Sequence, residues 1–151
     1  MTKKKVLFVC LGNICRSPLA EGIAKAINEK EKLGLIITSS GTSASYEGEK
    51  PCQDSIRIAK QHKIDISNQR ARQVKLSDKD MFDFIIAMDL SNKKDLKKLG
   101  FNNVHLLGEF ANYHNQDVPD PYYFDSYDDG IHEVYQMIED CVKDFLKIII
   151  N

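Results

Sequence analysis

An α/β fold is predicted for this chain, because segments with the pattern of buried strands alternate with segments that suit helices. Short apolar segments predict strands at residues 5–10, 35–39, 84–88 and 104–107. Helices are predicted at residues 19–32, 51–62, 91–99 and 128–149. This alternation predicts a three-layer α/β/α protein with a four-stranded parallel sheet, doubly wound in the flavodoxin-like manner. No linker or internal repeat interrupts it, so we expect residues 1–151 to form a single domain.

Local signals support the elements in chain order. The first strand runs into a loop, and Ser17 followed by Pro18 suits an N-cap and the first position of a helix. Residues 51–62 carry isolated apolar side chains among polar ones, as a surface helix does. Gly100 stops the third helix. The last helix is predicted by apolar residues at helical spacing: Ile131, Val134, Met137, Ile138, Cys141, Val142 and Phe145.

Composition excludes several classes of function. The 21 Lys and Arg residues nearly balance the 22 Asp and Glu residues, which argues against nucleic-acid binding. No apolar segment suits a membrane span or a secretion signal, so we expect a cytoplasmic protein that does not bind membranes. The four cysteines form no Cys-x-x-Cys motif and no His-Glu-x-x-His motif occurs, so we expect neither a metal nor a cofactor.

The most informative segment is residues 6–18, VLFVCLGNICRSP. A loop between a strand and a helix presents backbone N–H groups at the positive end of the helix, where an oxyanion binds. Gly12 allows a tight curl, Asn13 tolerates a left-handed backbone, and Arg16 offers a planar fork for two phosphate oxygens. The same positive field favours the thiolate of Cys10. A phosphate-binding loop with a thiolate at its base predicts nucleophilic attack on phosphorus.

This loop resembles that of the low-molecular-weight protein tyrosine phosphatases, and Asp-Pro-Tyr-Tyr at 120–123 is similar to their acid loop. The resemblance implies that Cys10 attacks phosphorus to form a cysteinyl-phosphate, while Arg16 clamps the equatorial oxygens. It also implies that Asp120 protonates the leaving phenolate and later acts as the base when water hydrolyses the intermediate. Local sequence alone leaves Asp117 as a competing acid. Further matches are Ser39-Ser40-Gly41-Thr42, Ala71-Arg72-Gln73 and Ala87-Met88-Asp89.

The resemblance also implies supporting roles. Besides capping the helix, the hydroxyl of Ser17 could donate to the sulfur of Cys10, and the family assigns it this second role. Asn13 and Ser39 resemble residues that hold the loop in shape. Where the family usually has a histidine that helps orient the loop asparagine, this chain has Gln69. We expect Gln69 to replace it as a neutral hydrogen-bond partner.

Substrate contacts are expected from the loop and from tyrosines. The resemblance implies that aromatic side chains flank the substrate ring above the loop. The expected binding residues are Leu11, Gly12, Asn13, Ile14, Cys15, Tyr46, Tyr122 and Tyr123. The ligands implied are phosphotyrosine in proteins or peptides and inorganic phosphate or a similar oxyanion. We expect a monomer and leave weak self-association open.

Alternatives with the same or a similar fold remain. Protein-arginine phosphatases carry threonine where this chain has Ile14, and arsenate reductases use further cysteines near the third strand, where residues 80–92 have none. A phosphocysteine carrier domain of a sugar-transport system needs neither Arg16 nor Asp120. The second loop thiol, Cys15, is expected to form a reversible disulfide with Cys10 under peroxide.

Overall fold

The computed structural model describes residues 3–121 and 127–150. Within these residues four strands form one sheet: β1 (Lys5–Cys10), β2 (Ile36–Gly41), β3 (Phe84–Ala87) and β4 (Val104–Leu106). The spatial order is β2-β1-β3-β4, and every neighbouring pair is parallel. The predicted four-stranded parallel sheet is confirmed. The chain adds β2 on one side of β1 and then β3 on the other side. Sheets of this kind bind ligands beyond the carboxyl ends of the strands at such a switch in direction.

The helices follow the predicted alternation, with small differences at their ends. They are α1 (Arg16–Glu31), α2 (Gln53–Gln61), α3 (Asp78–Met81), α4 (Leu90–Lys98) and α5 (Tyr127–Ile150). Helix α3 and the 3₁₀ turn at Leu107–Glu109 were not predicted, because a single turn is too short to show helical periodicity. Of the helices in the described part of the chain, none is both long and apolar enough to span a bilayer.

The start of α1 differs from the prediction in a way that matters for the site. The residue at the N-cap position is Cys15, and Ser17 lies inside the first turn. The prediction that Ser17 caps the helix is therefore wrong. Its hydroxyl is instead bonded to the sulfur of Cys10, 3.0 Å away. Pro18 is the third residue of the helix instead of the predicted first, and it is tolerated there because the N–H groups of the first turn have no partner within the helix.

The sheet is covered on both faces, which confirms the three-layer architecture. Side chains of β1 alternate between the faces: Val6, Phe8 and Cys10 join the cluster formed with α1, α2 and α5. Leu7 and Val9 join the second cluster, on the side of α4. All seven apolar positions predicted for the last helix are buried. The alternation directs Cys10, the last residue of β1, toward the face on which α1 begins.

Candidate active site

The loop between β1 and α1 turns its carbonyl groups outward. Those of Cys10, Leu11 and Ile14 accept hydrogen bonds from backbone outside the loop, at 2.7–3.0 Å. A trans peptide places its N–H opposite its C=O, so the N–H groups that follow these carbonyls point to the other side. The N–H of Asn13, a residue with a φ of 56°, points at the Cys10 sulfur at 3.2 Å. The loop thus gathers N–H donors around the thiol.

Two glycines are required by close approach rather than by a left-handed backbone. A Cβ on Gly41, at the end of β2, would lie 2.7 Å from the carbonyl oxygen of Leu11 and 3.1 Å from the nitrogen of Asn13. A Cβ on Gly12 would lie 2.8 Å from the ring of Tyr46. Gly12 has no positive φ, so the contact with Tyr46, and not a left-handed backbone, explains this glycine. These glycines let β2 and Tyr46 pack directly against the loop.

The side chain of Asn13 has one orientation that satisfies its partners. The backbone N–H of Arg72 can only donate, and it lies 3.0 Å from Oδ1 of Asn13. The Nδ2 group must therefore face the hydroxyl groups of Ser17 and Ser39, at 2.8 and 2.9 Å, and donate to both. Asn13 thus connects the loop to α1, β2 and the segment that contains Arg72.

This orientation decides the direction of the hydrogen bond between Ser17 and Cys10. Because Oγ of Ser17 accepts from Asn13, its own proton is available to one other acceptor. The sulfur of Cys10 lies at 3.0 Å, whereas the carbonyl oxygen of Ser40 lies at 3.5 Å, at the limit for a hydrogen bond. The Ser17 hydroxyl therefore donates to the sulfur, an arrangement that stabilises a thiolate.

A second branch of the same network ends on a carboxylate that the sequence did not reveal. Ser39 donates to Glu21 at 2.7 Å, and Lys25 pairs with the other carboxylate oxygen at 2.7 Å. Glu21 is 5% exposed. Gln69, expected to help orient Asn13, instead donates to the carbonyl oxygen of Pro18 at 3.1 Å. The reason is that Ser17, Ser39 and Arg72 already use the polar atoms of the Asn13 side chain.

Arg16 is buried and fixed at one end of its guanidinium. Its Nη1 donates to Oδ2 of Asp89 at 2.6 Å and to the carbonyl oxygen of Val118 at 2.9 Å. Its Nη2 lies 4.0 Å from Oδ2 of Asp120. Burial works to lower the pKa of Arg16, but the nearby Cys10, Asp89 and Asp120 raise it above its usual value. The guanidinium is therefore a permanent positive charge within the site.

Asp89, noted in the sequence only as part of a family match and given no role there, is a site residue. It is the N-cap of α4, and its Oδ1 accepts from the N–H of Asn92 at 2.7 Å while Oδ2 holds Arg16. The rule that ligand sites lie beyond the carboxyl ends of parallel strands could have found it, since it follows β3 closely. One carboxylate thus ties the start of α4 to the arginine of the loop.

The structure separates the two candidate acids. Asp120 lines the pocket above Cys10, with 32% of its side chain exposed. Asp117 accepts a hydrogen bond from the N–H of Leu90 at 2.9 Å and does not line that pocket. Val118, between them, is anchored because its N–H donates to the carbonyl oxygen of Met88 at 2.8 Å. This backbone anchor lies two residues before Asp120.

These residues enclose a pocket of about 310 Å³ at the end of β1. Its lining consists of Cys10, Leu11, Gly12, Ile14, Cys15, Arg16, Tyr46 and Asp120. Leu11 and Tyr46 are half-exposed at its rim. Tyr122 and Tyr123, also expected to bind substrate, lie outside the described residues. Residues 3–121 and 127–150 contain no cluster of three or more His, Cys, Asp or Glu side chains arranged to hold a metal ion.

Cys15 forms a disulfide with Cys52, with 5.4 Å between their Cα atoms. Cys15 is therefore not paired with Cys10 in this structure, and the Cys10–Cys15 disulfide expected under peroxide stays a prediction. Sequence gave no signal for this pair, because 37 positions separate the two residues. Cys10 and Cys141 are free thiols. Burial, together with Asp140 and Asp144, raises the pKa of Cys141 to about 12.

Comparisons with known proteins give matches over nearly the whole chain. The family model described as low molecular weight phosphotyrosine protein phosphatase matches residues 5–150. A curated protein of that name from Schizosaccharomyces pombe is 40% identical over 160 residues, covering 99% of each chain. A protein tyrosine phosphatase structure from Entamoeba histolytica has a TM-score of 0.89 and 31% identity, covering 97% of each chain. The Drosophila arginine phosphatase structure has a TM-score of 0.88 and 30% identity, covering 96% of this chain and 97% of that one.

Proposed function

Since this chain belongs to the low molecular weight phosphotyrosine protein phosphatase family and is therefore a protein tyrosine phosphatase, we propose that Cys10, Arg16 and Asp120 carry out its reaction. The observation that supports this most directly is that all three line one pocket. The substrates are phosphotyrosine side chains of proteins or peptides. The match of the family model to residues 5–150 supports a single phosphatase domain over residues 1–151.

In the first step the thiolate of Cys10 attacks phosphorus and the bond to the phenolic oxygen breaks. The inward N–H groups of the loop and the guanidinium of Arg16 bind the three equatorial oxygens, where negative charge develops. Because Nη1 of Arg16 is committed to Asp89 and Val118, the phosphoryl group is held by the Nε and Nη2 donors. Asp120 gives its proton to the leaving phenolate.

In the second step water attacks the phosphorus of the cysteinyl-phosphate and inorganic phosphate leaves. Asp120, now a carboxylate, takes the proton of the attacking water. The bond between sulfur and phosphorus breaks, and Cys10 departs as a thiolate. The hydroxyl of Ser17, which donates to this sulfur at 3.0 Å, stabilises the departing charge. Ser17 thereby acts in the second step, in which the Cys10 sulfur is the leaving group.

The choice between the two acids is testable with matched variants. We expect Asp120→Asn to lower kcat on a phosphotyrosine peptide by about 10²- to 10⁴-fold, because an amide cannot protonate the phenolate. The loss should be smaller on p-nitrophenyl phosphate, whose leaving group needs less help. Asp117→Asn keeps an oxygen that can accept from Leu90, so its kcat should stay near that of the wild type. Steady-state kinetics with both substrates makes the comparison.

Equal losses in the two variants would contradict the assignment, as would an Asp120→Asn enzyme with unchanged kcat on phosphotyrosine. Thermal unfolding of each variant separates a lost proton donor from a lost fold. A variant that unfolds near the wild-type temperature and yet loses activity has lost the proton donor and not the fold.

The structural similarity to an arginine phosphatase favours phosphoarginine as a second candidate substrate. Ile14 lines the pocket, and an aliphatic side chain there suits the face of an aryl ring better than a hydroxyl group would. We expect kcat/KM for phosphotyrosine to exceed that for phosphoarginine by about tenfold or more, the scale of discrimination by one pocket side chain. The opposite order would make this chain a protein-arginine phosphatase.

A further inference from the structure

We propose that Cys52 is the final thiol of a three-cysteine relay, in which oxidation of Cys10 by a peroxide ends as the Cys15–Cys52 disulfide and returns Cys10 to its thiolate form. The relay rests on Cys10 being the reactive thiol of the proposed function. Its end product is the disulfide that the structure contains. Cys15 stands between the other two thiols, because it lines the pocket with Cys10 and is bonded to Cys52.

Hydrogen bonds hold Cys52 beside the loop independently of the disulfide. Its backbone N–H donates to the carbonyl oxygen of Ile14 at 2.7 Å. Ser55, in the first turn of α2, donates to the carbonyl oxygen of Cys15 at 3.0 Å, and its hydroxyl lies 3.1 Å from the sulfur of Cys52. These contacts do not need a bond between the sulfurs. Reduction of the disulfide therefore leaves the two thiols as neighbours.

Both members of the pair occupy positions that favour thiolates. Cys15 is the N-cap residue of α1, and Cys52 is the N-cap residue of α2. The positive end of each helix stabilises negative charge on the sulfur. A thiolate is the attacking species in thiol–disulfide exchange. Both residues are also partly exposed, so solvent reaches them.

The relay balances as three displacements. The thiolate of Cys10 attacks hydrogen peroxide, an S–O bond forms as the O–O bond breaks, hydroxide leaves and is protonated to water, and a sulfenic acid results. The thiolate of Cys15 attacks the Cys10 sulfur and displaces the oxygen as hydroxide, which leaves as water. The thiolate of Cys52 then attacks the Cys15 sulfur, and Cys10 leaves as a thiolate. In sum, hydrogen peroxide is reduced to two waters and two thiols are oxidised to one disulfide.

The relay has a direct consequence for the phosphatase. The first equivalent of peroxide is absorbed without loss of the nucleophile, because Cys52 releases Cys10 from the mixed disulfide. Once Cys15 is committed to Cys52, it no longer resolves a sulfenic acid on Cys10. A second equivalent therefore leaves Cys10 as a sulfenic acid that no neighbouring thiol resolves, and a third takes it to the sulfinic acid, which a dithiol does not reverse. A dithiol that reduces the Cys15–Cys52 bond restores the first state.

The test starts from protein fully reduced with dithiothreitol, freed of reductant and treated with one equivalent of hydrogen peroxide. Remaining thiols are blocked with N-ethylmaleimide, disulfides are mapped by mass spectrometry, and activity on p-nitrophenyl phosphate is measured in parallel. We expect the wild type to form the Cys15–Cys52 disulfide and to keep most of its activity. Cys52→Ser, which retains a good N-cap residue, should form the Cys10–Cys15 disulfide and lose activity until dithiothreitol is added.

Two further variants separate the relay from direct oxidation of Cys15 and Cys52 by peroxide. In Cys10→Ser the Cys15–Cys52 disulfide should form far more slowly, because the sulfur that the Asn13 N–H and the Ser17 hydroxyl stabilise as a thiolate is no longer there to react first with peroxide. Cys141→Ala removes a buried thiol outside the site and should behave as the wild type does.

A wild type that ends with the Cys10–Cys15 disulfide and loses as much activity as Cys52→Ser overturns the proposal. So does a Cys10→Ser protein that forms the Cys15–Cys52 disulfide as fast as the wild type. The disulfide map does not depend on phosphatase activity, so the two ideas fail separately. Untreated wild type that is inactive on aryl phosphates would contradict the proposed function, whichever disulfide is found.

Discussion

Cys10→Ser is expected to abolish the hydrolysis of aryl phosphates, with a loss of about 10⁴-fold or more in kcat. A serine hydroxyl is not ionised by the loop, so the nucleophile disappears. The phosphate-binding groups should remain, because Asn13 and Arg16 are held by partners other than the sulfur. Steady-state kinetics with a phosphotyrosine peptide measures the loss, and isothermal titration calorimetry with inorganic phosphate measures the binding.

The two readouts together locate the nucleophile. Phosphate binding within about tenfold of the wild type, combined with lost turnover, assigns the chemical step to this sulfur. Activity within tenfold of the wild type would place the nucleophile elsewhere. Cys141→Ala serves as a matched control, because burial raises the pKa of this thiol to about 12 and it lies outside the pocket.

Arg16→Lys is expected to lower kcat/KM by about 10²- to 10³-fold, the loss seen when a preorganised donor to a developing oxyanion is removed. An ammonium group has no planar fork. It cannot bond Asp89 and the carbonyl oxygen of Val118 while presenting two further donors to the phosphoryl group. The loss should appear in both kcat and the affinity for inorganic phosphate. Kinetics and phosphate titration on the same preparation provide the measurement.

Asp89→Asn provides the matched comparison for the arginine. The amide oxygen of the asparagine still accepts from Arg16, and the guanidinium of Arg16 keeps its positive charge. The loss in kcat/KM should therefore be smaller than that of Arg16→Lys. An Arg16→Lys enzyme with a near wild-type kcat/KM would contradict the clamp. Circular dichroism melts of both variants are needed, because Arg16 and Asp89 are a pair with little exposure to solvent.

The parts of the molecule that the sequence predicts are those with local signals. The apolar β1 and the periodic α5 bury side chains at spacings of two and about 3.6 residues, respectively, so their type and extent can be read without the fold. Cys10 ends β1 and Arg16 begins α1, so only one short loop separates them. Their shared role therefore follows from the elements on either side.

Two of the residues that the sequence analysis did not assign to the site are brought there by tertiary structure. Asp89 comes from the turn after β3, where it is the N-cap of α4, and Cys52 comes from the start of α2. No local spacing relates these two residues to the loop. Glu21 lies on α1, four residues after Ser17, and is linked to the network through Ser39 of β2. The error at Ser17 has a different cause. A serine followed by proline is typical of a helix start, but the Ser17 hydroxyl is used by the Cys10 sulfur and the Asn13 amide instead of capping the helix.

The most direct test of the account is to trap the cysteinyl-phosphate. Asp120→Asn slows hydrolysis of this intermediate but still accepts p-nitrophenyl phosphate, so phosphorylated protein should accumulate during turnover. Rapid quenching, digestion and mass spectrometry then show which peptide carries the phosphoryl group. We expect it on Cys10 and expect none in the double variant that also carries Cys10→Ser. A phosphoryl group on another residue, or turnover without any phosphorylated Cys10, would contradict the account.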